Sequence, residues 1–108
     1  MDKRARIREL NDAFRKTFVG GKVMLTQGVE TLDTVAKAAL LAKVRTFDAF
    51  DNGDDPHGEH DFVSFDHKGT KYFAKIDYYS LDLEGGSEDP SDPNRTVRVL
   101  TIMFASEY

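Results

Sequence analysis

No cysteine occurs among the 108 residues of this chain, which excludes disulfides, thiolate-bound zinc, iron–sulfur clusters and a cysteine nucleophile in one step. Long apolar runs are missing too: the longest, from Val35 to Ala42, is interrupted by Lys37. A membrane-spanning helix needs about 20 consecutive apolar residues, so no span is expected. The basic start Met1-Asp2-Lys3-Arg4-Ala5-Arg6 runs into an amphipathic segment rather than the apolar core of an export signal, and a cytoplasmic location is expected. There is no Gly-x-Ser-x-Gly elbow. Ser64 falls in mid-strand and Ser87 in a loop, and a His60–Asp77 dyad would have no nucleophile beside it, so acyl transfer is without support.

The chain does contain enough apolar material for one core. Hydrophobic residues make up 40% and aromatic residues 11%, with eight Phe and four Tyr, and the length suits a single domain spanning residues 1–108. The formal net charge of -4 conceals a separation of signs: residues 1–22 hold seven Lys or Arg against three acidic residues, whereas residues 48–95 hold thirteen acidic residues against four basic ones. A basic end and an acidic end are expected on the folded molecule.

Ile7, Leu10, Phe14 and Phe18 recur at helical spacing and predict a helix over about residues 3–18, with Arg4, Arg8 and Arg15 on its outer face and Gly20-Gly21 as its stop. Lys22 to Gln27 reads as a short strand closed by Gly28. A second helix, capped by Thr31 or Asp33, carries Val35, Ala36, Ala39, Leu40, Val44 and Phe47 as its apolar stripe. After a turn-rich stretch, Asp61–Asp66 and Thr70–Tyr78 form the arms of a hairpin, closed through either Lys68-Gly69 or His67-Lys68-Gly69. Residues 79–95 make an unusually long acidic loop. Thr96–Ala105, apolar on both sides, suits a central strand. The order α-β-α-β-β-β predicts an α+β fold, two helices packed on a mostly antiparallel sheet of about four strands.

Four segments carry a resemblance: Arg6-Ile7-Arg8-Glu9-Leu10-Asn11-Asp12-Ala13-Phe14-Arg15, Asp55-Pro56-His57-Gly58-Glu59-His60-Asp61-Phe62, Lys75-Ile76-Asp77-Tyr78-Tyr79, and Arg98-Val99-Leu100-Thr101-Ile102-Met103 with Glu107-Tyr108. In them the chain resembles a small bacterial family of unknown function, domain-of-unknown-function family 3768. The resemblance implies a genetic setting on plasmids, phages and other mobile elements, and supplies no activity and no functional residues.

Three functional readings compete. In the first, a non-enzymatic acidic binding protein without a cofactor docks a protein or nucleoprotein complex that has a basic surface. Its contacts would be Asp82, Glu84, Glu88, Asp89 and Asp92 on one loop, Asp54 and Asp55 on another, and Tyr78 and Tyr79 as apolar anchors. With the mobile-element setting, this becomes an inhibitor of a host defence complex of anti-CRISPR or anti-restriction type. In the second, His57, Glu59, His60 and Asp77 hold a divalent metal in a hydrolase, a reading that depends on hairpin register because only the two-residue turn sets His60 opposite Asp77. In the third, a regulator contacts DNA through Arg4, Arg8 and Arg15.

Overall fold

Asp2 opens the first helix, α1 (Lys3–Thr17), by accepting a hydrogen bond from the Ala5 amide at 2.7 Å; such a cap satisfies one of the donors that a helix start leaves free. The computed structural model describes residues 2–51, 53 and 55–108. Ile7 and Phe14 are buried on the inner side of α1, as their spacing predicts, but so are Asn11 and Arg15. The helix stops at Phe18 rather than at the glycines: Phe18 takes φ 60° and its amide donates to the Phe14 carbonyl. Its ring offsets the steric cost of that left-handed backbone by packing against the core and under the Arg45 guanidinium, 5.5 Å from the ring centroid. Gly21 serves a different need, since a Cβ there would lie 2.5 Å from the Arg98 carbonyl oxygen and 2.7 Å from the Phe14 ring.

Strand β1 (Gly21–Leu25) leads into a one-turn helix, α2 (Gln27–Glu30), which includes the Gly28 expected to close the strand. Asp33 caps α3 (Thr34–Thr46) by accepting from the Ala36 amide at 2.7 Å. Leu40 and Val44 of α3 are buried as predicted, whereas Val35 is 79% exposed and lies off the buried stripe. The hairpin strands β2 (Phe62–His67) and β3 (Thr70–Tyr79) pair from His67↔Thr70 to Phe62↔Lys75, so the turn is the two-residue Lys68-Gly69, both at positive φ. That combination matches the twist of the flanking strands. Strand β4 (Val97–Phe104) lies inside the sheet, whose order is β1-β4-β3-β2, with β1 parallel to β4 and the other pairs antiparallel.

The molecule is therefore α+β, with α1 and α3 packed on a mixed, mostly antiparallel sheet of four strands. Phe14, Leu40 and Val44 from the helices meet Val63, Tyr72, Ala74, Ile76, Leu100 and Ile102 from alternate sheet positions, with Val29 of α2 at one end. Lys22, Met24, Phe73, Lys75, Asp77, Val99 and Thr101 occupy the other parity and hence the opposite, helix-free face. No helix among the described residues is long and apolar enough to cross a membrane.

The last turn, Ala105–Glu107, is clasped back onto the start of α2. The Glu107 carboxylate accepts from the Thr26 hydroxyl at 2.6 Å, the Gly28 amide at 3.0 Å and the Phe104 amide at 2.9 Å. The Thr26 bond foremost, then the Phe104 amide, holds the Glu107 carboxyl below its ordinary value. A depressed folded-state pKa contributes stability above the ordinary glutamate range and loses it as pH falls through the folded value. Glu107→Ala will lower the melting temperature at neutral pH, and thermal melts at decreasing pH will show the gap from the parent protein closing below about pH 4.

Candidate functional site

The two acidic loops converge on a buried polar chain that passes through the sheet and α1. Asn11, fully buried, donates through Nδ2 to the Glu59 carbonyl at 3.0 Å and to the Tyr78 hydroxyl at 2.8 Å. Its Oδ1 accepts from Arg98 Nε at 2.7 Å, and the Tyr78 hydroxyl donates to Glu59 Oε1 at 2.8 Å. Arg98, also buried, donates through Nη2 to the Pro90 carbonyl and lies over the Tyr78 ring at 5.2 Å from its centroid. The chain runs from the 55–61 loop to the 80–96 loop without a break. Burial lowers the Arg98 pKa from its ordinary value and, with the Glu59 bond adding to it, raises that of the Tyr78 hydroxyl. The network holds the two loops together.

The first loop is held again at His60. Its backbone sits at φ 56° and its amide donates to Asp55 Oδ1 at 3.0 Å. The ring stacks on Phe50 with centroids 3.9 Å apart, placing Nδ1 2.8 Å from Asp12 Oδ1 and Nε2 3.6 Å from Asp55 Oδ2. Asp61 follows, with its carboxyl pKa raised by burial before any neighbouring charge. Arg15 closes the far side. It donates to the Val44 carbonyl at 3.0 Å and the Phe47 carbonyl at 2.8 Å, satisfying the open end of α3, and pairs with Asp12 at 3.2 Å.

This geometry corrects several expectations. His57, Glu59, His60 and Asp77 do not form a metal site, although the register that should have favoured one is the register found. The strand begins only at Phe62, so His60 turns toward α1 and Asp12. Asp77 lies on the opposite face of the sheet, 3.1 Å from Lys75, and Glu59 is taken up by Tyr78. His57 lines an open cavity of about 290 Å³ with Arg4, Phe50 and His60. Among the described residues, no cluster of three or more His, Asp or Glu has a metal-binding arrangement.

The outer basic face of α1 also shrinks. Arg15 is buried, Arg8 donates to the Gly58 carbonyl at 3.0 Å, and Lys3 lies 3.5 Å from Asp89; of the arginines assigned to DNA, Arg4 alone is exposed. Two of the proposed docking residues, Asp55 and Tyr78, point into the protein and cannot supply a contact surface. Asp54 lies outside the described residues.

The remaining loop carboxylates split into two kinds. Asp82 accepts from the Ser80 hydroxyl at 2.6 Å and the Glu84 amide at 3.0 Å, Asp89 accepts from the Ser91 amide and hydroxyl, and Asp92 caps the helical turn Pro93–Arg95 through the Asn94 amide at 2.9 Å. These bonds give shape to a segment expected to lack it. The serine hydroxyl bonds come first in lowering the Asp82 and Asp89 carboxyls below their ordinary value. Glu88, by contrast, meets Arg95 at the surface at 3.1 Å, and Glu84 is exposed. Sequence reasoning missed the two leucines interleaved with Asp82 and Glu84: Leu81 is 63% exposed and Leu83 46%. Their signal was legible as a Leu-Asp-Leu-Glu run inside a polar loop.

Truncating Asn11 tests the polar chain. Asn11→Ala leaves Arg98 Nε and the Tyr78 hydroxyl short of a partner, and urea denaturation will show a loss of about 2–4 kcal/mol. Amide exchange will accelerate together at residues 58–61 and 91–92, which are far apart in sequence.

In comparisons with known proteins, a family model described as Protein of unknown function (DUF3768) matches residues 25–107, and the chain belongs to that family. Neither a curated protein nor a solved structure matches it.

Proposed function

We propose that this family member is a non-enzymatic binding protein that engages a protein or nucleoprotein complex through the tip of its 80–92 loop. The observation that carries this reading is the pair of exposed leucines, Leu81 and Leu83, which alternate along the chain with Asp82 and Glu84. Leu83 takes φ 63°, a conformation that disfavours a bulky side chain, and is kept there by the hydrogen bond its amide donates to the Ser80 carbonyl at 2.9 Å. Ser80 is fixed in turn by Asp82 and by the Gly85 carbonyl. A rigid loop that presents apolar side chains to water gives up little conformational entropy on binding. Leucines then supply burial, and flanking carboxylates supply orientation toward a basic surface.

The Ser80 hydroxyl bond foremost, then the Glu84 amide, holds the Asp82 carboxyl below its ordinary value, so its charge persists to lower pH than that of a free aspartate. The mobile-element setting implied by the family resemblance makes the nucleic-acid channel of a host defence complex, of anti-CRISPR or anti-restriction type, the partner class that this chemistry fits. DNA contact through α1 has lost Arg8 and Arg15 to internal bonds.

The test separates recognition from loop architecture. Leu81→Ser combined with Glu84→Lys leaves Asp82, Asp89 and Asp92 intact, so the loop keeps its shape. Affinity capture from a lysate of the native host will recover at least about tenfold less of any partner than the parent protein does, as expected for loss of about 1.4 kcal/mol of contact energy. Equal recovery by a variant with unchanged melting temperature overturns the loop tip as the contact surface.

A further inference from the structure

The helix-free face of the sheet has a charge pattern that the loop tip does not explain. Its uncovered part is laid out in rows by the strand register: Lys22 of β1 beside Val99 of β4 and Asp77 of β3, then Met24 beside Thr101 and Lys75. Met24 is 52% exposed, and a cavity of about 300 Å³ opens between Lys22, Met24, Tyr79, Leu83 and Val99. The other end of the same face is already closed, because Tyr108 sits edge-on against Phe62 and Phe73 with centroids 5.9 and 5.5 Å away. The C-terminal turn thus covers one end and leaves, at the other, Val99, Thr101 and Met24 around the Lys75–Asp77 pair, with Lys22 at the β1 edge.

We infer that this uncovered face is a self-association surface, on which two copies of the chain meet about a two-fold axis with Lys75 of one copy against Asp77 of the other. Lys75 and Asp77 stand two residues apart on one strand and one face, about 6.6 Å along the strand. A two-fold axis lying in the plane of contact, perpendicular to β3 at the level of Ile76, sets Lys75 of each copy over Asp77 of the other. Any heterologous partner would have to supply that pattern separately; a second copy brings it by construction, the self-complementarity that an isologous contact demands. Within one copy the pair is 3.1 Å apart and each side chain is 38% exposed, so water still screens it. Closing the face places the two Lys75–Asp77 pairs in an alternating square with less water around them, and Val99, Thr101 and Met24 are buried beside them.

The size of the patch sets the strength. Strands about 4.8 Å apart and a rise of about 3.3 Å per residue give the uncovered part of three strands a flat area on the order of 300 Å² per copy. That falls in the class of small, transient interfaces. A reversible, concentration-dependent dimer is the expected species.

The experiment uses the intact chain in sedimentation equilibrium over about 10 μM to about 1 mM, a range chosen for a weak equilibrium. The parent protein will shift from monomer toward dimer across it. Lys75→Asp makes the pair wholly negative and Asp77→Lys makes it wholly positive, so each variant alone will self-associate at least tenfold more weakly. Mixed in equal amounts, the two will associate at least tenfold more strongly than either alone. The intramolecular pair is broken in both variants, so recovery on mixing reads the contact between copies and nothing else, and circular dichroism with thermal melts checks that both are folded. A parent protein that stays monomeric throughout, or a mixture no stronger than its components, overturns the inference.

Discussion

The placement of the two loops depends on how Asn11 is used. A fully buried amide has one acceptor oxygen and two donor hydrogens to satisfy. Here the oxygen takes Arg98 and the nitrogen serves both Tyr78 and the Glu59 backbone. Removing a guanidinium from water costs several kcal/mol unless its donors are met. Arg98 meets that cost with the Asn11 oxygen, the Pro90 carbonyl and the Tyr78 ring face. An apolar trio of the same volume could stabilise the core as well, but would not specify where the two loops lie. The polar chain gives the fold a single arrangement of loops that have few apolar contacts of their own.

That dependence explains which parts of the fold could be read from the sequence. Regular elements announced themselves through apolar period: Ile7 and Phe14 for α1, Leu40 and Val44 for α3, and the two-sided apolar run of β4, which does lie inside the sheet. The polar residues on the same stripe were harder. Asn11 and Arg15 follow Ile7 at successive steps of four, so they share its face, yet composition habits assign an arginine on a helix to solvent. Arg15 is inside because the C-terminus of α3 ends against it and leaves carbonyls that need donors. A long-range requirement of that kind has no local signal. Phe18 shows the same limit, since local preference points to Gly20-Gly21 and the packing of one ring decides otherwise.

The charge layout was half legible. The signs are segregated along the chain, but folding returns part of the basic segment to the acidic one, through Lys3 at Asp89 and Arg8 at the Gly58 carbonyl. Carboxylates in a loop rich in Ser, Pro and Gly have two possible employments, surface charge or backbone capping, and Asp favours the second because its short side chain reaches amides two residues on. Asp82, Asp89 and Asp92 follow that rule, while the longer Glu84 and Glu88 remain at the surface. The distinction between Asp and Glu in this loop therefore separates architecture from available charge.

The same economy bears on why the loop tip and the open sheet face are neighbours. Both helices are spent on one side of the sheet, and the C-terminal turn reaches only the Phe62–Phe73 corner of the other. The loop between β3 and β4 leaves the sheet at Tyr79, pairs back through Gly86, and brings Leu83 to the rim of the uncovered part. Leu83 could avoid that rim by relaxing to negative φ, yet the Ser80 carbonyl and Asp82 hold it there. A sparsely populated backbone conformation retained at an exposed apolar side chain is the kind of feature that clusters at binding surfaces. Two copies joined through the face would set two such tips on one particle, and a partner with two matching sites would then bind more tightly than either tip alone allows.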